Sequence, residues 1–139
     1  MNILVIDAQG GGLGKQLITA LKKNFPDMDI TAVGTNTMAT GVMLKAGASH
    51  AATGESAVVV SSRKADIIIG PMAIVIADSM FGEITPAMAL AVAQSNAKRI
   101  LIPFNHCDNI VVGIHDYNVT ALIQEAIEEV TKTLPSRQP

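Results

Sequence analysis

The sequence predicts an α/β domain, a three-layer sandwich with a mostly parallel sheet, and three observations carry that prediction. Apolar runs of strand length recur along the chain, at Ile3–Ile6, Asp29–Gly34, Asp66–Gly70 and Arg99–Phe104. Stretches with apolar residues at helical spacing separate them. The first run passes straight into four glycines within five residues, Gly10, Gly11, Gly12 and Gly14, which open a helix. Strands alternating with helices in this way give a Rossmann-like sandwich.

Each element follows in order. After the glycines, Leu13, Leu17, Ile18, Leu21 and Phe25 form one face of a helix that Pro26-Asp27 ends. Asp29–Gly34 is the second strand, and Thr35-Asn36-Thr37 is a polar turn into a helix carrying Met38, Val42, Met43 and Leu44 to a stop at Gly47. His50–Thr53 reads as a short third strand. Thr53 then stands as the cap of a helix over 54–63, with Glu55 in its first turn. Asp66–Gly70 holds three consecutive isoleucines between an acid and Gly-Pro, the pattern of a strand buried on both faces. Thr85-Pro86 starts a helix rich in alanine, with the capping residue ahead of a proline at the first helical position. About five residues separate the strand over 99–104 from the apolar run Ile110–Ile114. A parallel crossover needs roughly a dozen, so Ile110–Ile114 is expected as an antiparallel last strand. Val119, Leu122, Ile123, Ala126, Ile127, Val130 and Leu134 mark the closing helix. Residues 1–134 are expected as one domain and 135–139 as a disordered tail.

Composition narrows the function classes. The chain has 139 residues, enough for one sizeable core but too few for a dinucleotide-binding half plus a separate catalytic half. Aromatic residues are only 3% and the net charge is −2, so neither a stacking platform nor a basic stripe for nucleic acid is present. No apolar stretch reaches the length of a membrane span, because Gly70, Pro71 and Asp78 interrupt the longest ones. The lone Cys107 excludes an internal disulfide and fits a reducing compartment. The first strand begins at residue 2, leaving no room for a leader peptide; a cytoplasmic protein is the expectation.

The glycine loop is where chemistry concentrates. A strand, a tight glycine turn and a helix N-terminus together present backbone N–H groups and a partial positive charge to an anion. The loop departs from the Walker pattern, because Gln9 stands at the first glycine and Gln16 at the magnesium-binding hydroxyl. The spacing Gly-x-Gly fits Gly10 and Gly12 but then meets Lys15. Gly-x-x-Gly-x-x-Gly fits Gly11 and Gly14 with Ala8 in the first place, which resembles short-chain dehydrogenase loops. In open α/β sheets a ligand sits beyond the carboxyl ends of the strands at the switch point. That edge should gather Asp7, Gln9, Gly10, Gly11, Gly12, Leu13, Gly14, Lys15, Thr35, Asn36, Gly70 and Pro71 as binding residues, with Thr53-Gly54-Glu55 and Asn105-His106-Cys107-Asp108 beside them. The sequence names no cofactor; the loop is compatible with NAD(P) or another nucleotide. A tight turn that only packs a helix on the sheet stands against it.

Other residues have competing readings. The second strand ends in Gly34-Thr35-Asn36, without the acid of an NAD site or the arginine of an NADP site, so Thr35 and Asn36 hold a ribose or cap a helix. Asn105-His106-Cys107-Asp108 places a thiol, a base and an acid together, yet sequence neighbours on a strand face opposite ways. A catalytic thiol there competes with a packed loop. One cysteine and three scattered histidines lack zinc-ligand spacing, and no partners for a metal at Asp7 can be placed. Asp78, Ser79 and Glu83 lie in a loop before the Pro86 helix that can reach the switch-point crevice, where Glu83 is a general base or a solvated loop acid. The apolar segment Met72–Ala77 is core, pocket wall or subunit interface, and with the alanine-rich helix it favours a homo-oligomer.

Taken together, Ile6-Asp7-Ala8-Gln9-Gly10-Gly11-Gly12-Leu13-Gly14-Lys15, Gly34-Thr35-Asn36, Met43-Leu44-Lys45-Ala46-Gly47-Ala48, Ala52-Thr53-Gly54-Glu55, Gly70-Pro71 and Gly82-Glu83-Ile84-Thr85-Pro86 resemble a small family of bacterial single-domain proteins of unknown function. The resemblance covers nearly the whole chain and assigns no catalytic residue. The functional expectation is therefore a protein that binds a nucleotide or other phosphate-bearing ligand at the glycine loop. A small enzyme on a phosphorylated or carboxylated metabolite and an oligomeric scaffold or sensor are the alternatives.

Overall fold

The computed structural model describes residues 1–103, 108–115 and 117–135. Five strands form one sheet in the order β3-β2-β1-β4-β5: β1 Asn2–Asp7, β2 Asp29–Gly34, β3 His50–Thr53, β4 Ile67–Pro71 and β5 Lys98–Ile102. Every pairing is parallel. The chain runs outward from β1 to β3, then returns to pair β4 on the other side of β1. The switch point thus lies between β1 and β4, directly beside the glycine turn.

Strand faces sort the core. Ile3, Val5, Ile30, Ala32, Ile67, Ile69, Ile100 and Ile102 face α1 (Gly12–Asn24), α2 (Thr37–Lys45) and α5 (Val119–Thr133). Leu4, Ile6, Val33 and Ile68 face α3 (Glu55–Lys64), α4 (Pro86–Gln94) and a short 3-10 helix, Met72–Val75. Both faces of the central strands are apolar because both are covered, as parallel sheets require. In α1 the expected stripe of Leu13, Leu17, Ile18 and Leu21 is buried. In α2 the buried residues are Ala39 and Met43, while Met38 and Leu44 are exposed.

Two expectations are corrected. Among the described residues 108–118 contain no strand, and the sheet has no antiparallel member. The apolar run there is broken by a turn at Val112-Gly113, with Gly113 at φ +92°, and Ile110 and Val112 are 91% exposed. The loop instead carries the chain to α5, which packs on α1 and β5. Thr53 does not cap α3: Gly54 holds that position and the Thr53 hydroxyl meets Thr40 Oγ1 at 2.7 Å. Asn105, His106, Cys107 and residues 136–139 lie outside the described residues. No helix among the described residues is long and apolar enough to cross a membrane.

Candidate functional site

Asp7 ends β1 at the point where the chain turns over the sheet, and it is 3% exposed. Its carboxylate accepts the Ala8 N–H at 2.8 Å and the Gly14 N–H at 2.7 Å, so it ties the strand end to the first turn of α1. Burial raises its pKa above the ordinary aspartate value. The two amide donors oppose that rise, and the negative charge of Glu83 adds to it.

The glycines divide into two kinds. Gly11 lies at φ +74°, and a Cβ there would sit 2.8 Å from the Ala39 Cα. At Gly14 a Cβ would sit 2.5 Å from Met43 Sδ and 3.0 Å from Asp7 Cβ. These two let α1 close onto α2 and the sheet. Around Gly10 and Gly12 nothing lies within 4 Å of an added Cβ, so those two face open space. Gly11 N–H bonds Ala8 O and Lys15 N–H bonds Gly11 O. Among the described residues, the N–H groups of Gly10, Gly12 and Leu13 meet no acceptor.

Glu83 stands at the centre of the rim. It comes from the segment between the 3-10 helix and α4, in which Asp78, Met80, Phe81 and Gly82 all have positive φ. Non-glycine residues adopt that conformation at a cost, and such outliers cluster at functional sites. Behind it, Ile84 is buried, Ile84 O accepts the Asp78 N–H at 2.7 Å, and Ser79 Oγ donates to Ala73 O at 2.7 Å. Glu83 Oε1 accepts from the Gln9 N–H at 2.9 Å, Thr35 Oγ1 at 2.7 Å and Asn36 Nδ2 at 2.8 Å. Partial burial pushes the Glu83 pKa up, but these three bonds outweigh it and hold the carboxyl below its ordinary range. A carboxylate shifted in this direction is a weaker base than a free one.

Asn36 does both things its sequence allows. Its Oδ1 accepts the Ala39 N–H at 2.9 Å and caps α2, while its Nδ2 donates to Glu83 and to Gln9 O at 3.0 Å. Gln9, at φ +53°, is therefore gripped at both its N–H and its carbonyl. Gln9 also borders an open cavity of about 570 Å³ lined by Pro71, Met72, Ile76, Met80 and Asp108, with the exposed Phe81 beside it. Met72–Ala77 thus serves two purposes: Ala73 and Ile74 are core, and Met72 and Ile76 line the cavity.

The rim brings together Asp7, Gln9, the glycine loop, Thr35, Asn36 and Pro71. Gly70 lies beneath it, where a Cβ would meet Ile6 O at 2.5 Å. Lys15 is exposed and lies along a groove with Thr19, Thr120 and Gln124 between α1 and α5. Glu55 is turned to Thr85, whose hydroxyl donates to it at 2.7 Å. Glu83, left outside the binding set by sequence reading, makes three of the contacts that join the loop to β2. Its only local signal is the Gly82-Glu83-Ile84-Thr85-Pro86 segment, which says nothing of where the turn aims it.

Comparison with known proteins places this geometry among Rossmann-type folds. A dodecameric FMN-dependent Ubix-like decarboxylase from Escherichia coli O157:H7 superposes with a TM-score of 0.50 at 17% identity, covering 96% of this chain and 76% of that one. Apo saccharopine dehydrogenase (L-Glu forming) from Saccharomyces cerevisiae gives 0.49 at 15% identity, over 95% of this chain but only 25% of that one. No curated protein matches the sequence. At these identities the likeness concerns the fold alone. The family model described as Domain of unknown function (DUF3842) matches residues 2–135, and the chain belongs to that family.

Proposed function

We propose that the protein binds a small phosphate-bearing ligand, a nucleotide foremost, across the crevice between the glycine loop, the end of β2 and the cavity beside β4. The observation that carries this reading is the set of N–H groups at Gly10, Gly12 and Leu13, which meet no acceptor among the described residues at the switch point of a parallel sheet. A phosphate on these donors gains from the α1 N-terminus. In this reading a heterocycle enters the cavity beside Gln9, whose lining mixes apolar and polar side chains, and Thr35 and Glu83 supply polar groups on the β2 side. The decarboxylase with a similar fold is described as FMN-dependent, which puts flavin mononucleotide among the ligands to test.

Dye-based thermal denaturation against NAD, NADP, AMP, ATP, FMN, S-adenosylmethionine and inorganic phosphate tests the reading, since the chain has no tryptophan and one tyrosine. A ligand at about 100 times its dissociation constant stabilises by about 2.7 kcal/mol, which moves the midpoint by several degrees. A nucleotide that shifts the midpoint in the wild type, and does so less in Gly12→Val, supports the reading. A flat panel rejects it and leaves the loop as a packing turn.

Association between copies is a second part of the proposal. Phe81 is 99% exposed, and Ile110 and Val112 stand out from the loop before α5 at 91%. Apolar side chains this open favour burial against another surface. Light scattering after size exclusion should give a mass above one chain; a monomer at high concentration removes this part.

A further inference from the structure

The second strand of a dinucleotide-binding fold ordinarily ends in the acid that holds the ribose hydroxyls. Here the last residue of that strand, Gly34, has no room for one, and Thr35 after it carries a hydroxyl instead. A Cβ at Gly34 would lie 2.5 Å from Thr40 Oγ1 and 2.6 Å from the Thr40 backbone nitrogen, and Asn36 is committed to capping α2. A carboxylate nevertheless reaches the same edge from the far side of the sheet. The left-handed turn Met80-Phe81-Gly82, with φ values of 55°, 57° and 85°, delivers Glu83 there. Its Oε1 is fully engaged by Gln9, Thr35 and Asn36, and its Oε2 accepts no hydrogen bond among the described residues. One carboxylate oxygen is thereby used to fix the group and the other is left open, with lone pairs for hydroxyl donors.

We infer that Glu83 is the sugar-specificity residue of this site, taking the paired 2′- and 3′-hydroxyls of an unphosphorylated ribose on Oε2. This rests on the nucleotide reading above. A 2′-deoxy sugar forfeits one bond to an ionised acceptor, and a 2′-phosphate sets like charges against each other. The site therefore prefers NAD to NADP, and AMP to 2′-deoxy-AMP.

Calorimetric titration of the intact chain with those four compounds and inorganic phosphate tests this. In the wild type, 2′-deoxy-AMP should bind about tenfold or more weakly than AMP, and NADP more weakly than NAD. Glu83→Gln, checked for an intact melting transition, should narrow both gaps while retaining phosphate affinity. Equal affinities within both pairs in the wild type overturn the sugar assignment and leave nucleotide binding standing. Failure of every nucleotide to bind overturns both. If Glu83→Gln does not fold, the wild-type series decides alone.

Discussion

The Gln9 N–H donates to Glu83 Oε1 across 2.9 Å, joining two residues 74 positions apart. The bond matters because Gln9 sits in left-handed backbone, which needs outside support. Glu83→Ala removes the acceptor of three donors at once. It should lower stability by about 1–3 kcal/mol, or about 3–10 °C in melting temperature. Glu83→Gln keeps an oxygen in place and should lose less. Calorimetry of both variants checks this; an unchanged midpoint in Glu83→Ala would show that the rim is not held by this residue.

Two neighbouring glycines should respond in opposite ways to the same change. Gly11→Ala forces a side chain into positive φ and against the Ala39 backbone, and should cost about 2–4 kcal/mol. Gly12→Ala adds a methyl to open space at the first position of α1 and should be neutral or stabilising by less than about 1 kcal/mol. Urea midpoints of the two variants measure the contrast. Similar losses in both would refute the division of the loop into packing glycines and glycines that face open space.

The pH dependence of stability carries two opposed contributions. Glu83 has a folded pKa below its ordinary 4.5, so its stabilisation is present above that value and is lost as pH falls through the folded one. Asp7 has a folded pKa above its ordinary 3.8, so the native state binds the extra proton and its contribution improves as pH falls through that raised value. Urea unfolding between about pH 3 and 7 should show the acid-side loss in the wild type and a smaller one in Glu83→Gln. Asp7→Asn should remove the opposing slope. Parallel profiles for all three proteins would contradict this assignment.

Asn36→Asp separates the cap from the rim. The introduced carboxyl still accepts the Ala39 N–H, and aspartate is as good a capping residue as asparagine. On the other side it replaces the donor to Glu83 Oε1 with a second negative charge. The variant should lose about 1–3 kcal/mol at pH 7 and recover part of it at acidic pH, where the introduced carboxyl is protonated and can donate. Thermal melts at pH 7 and pH 5 test this. A loss independent of pH would place the cost in the cap instead.

Local pattern made most of the fold legible. Ile67-Ile68-Ile69 and Asp29–Gly34 announce buried strands, Thr85-Pro86 marks a helix start, and both appear in place. The apolar run at Ile110–Ile114 misled, because strand propensity without a partner is weak and Gly113 turns the chain. Position at the switch point located the rim from strand order, which is a property of topology. That the loop of Asp78, Ser79 and Glu83 can reach the crevice was legible, but not that Glu83 is the residue aimed into it, since three consecutive residues with positive φ set that turn and no periodicity encodes it. Likewise the separation of Gly11 and Gly14 from Gly10 and Gly12 depends on how closely Ala39 and Met43 approach, which only the packed structure reveals.

The burial of Asp7 has a consequence for how the sheet assembles. In a half-exposed strand, sliding by one residue exchanges an apolar face for a polar one, and that penalty fixes alignment. β1 has no such safeguard, because Ile3 and Val5 on one side and Leu4 and Ile6 on the other are equally apolar. Alignment must come from the ends. At the start of the strand the Asn2 N–H donates to the Asp66 carboxylate at 2.7 Å. At its finish the Asp7 carboxylate finds its amide partners only when Ala8 and Gly14 stand beside it. A slipped strand would bury that charge without donors, at a cost of several kcal/mol. Asp7 therefore acts as an index mark for the centre of the sheet, and the glycine turn that follows it is correctly built only when the strand is in step.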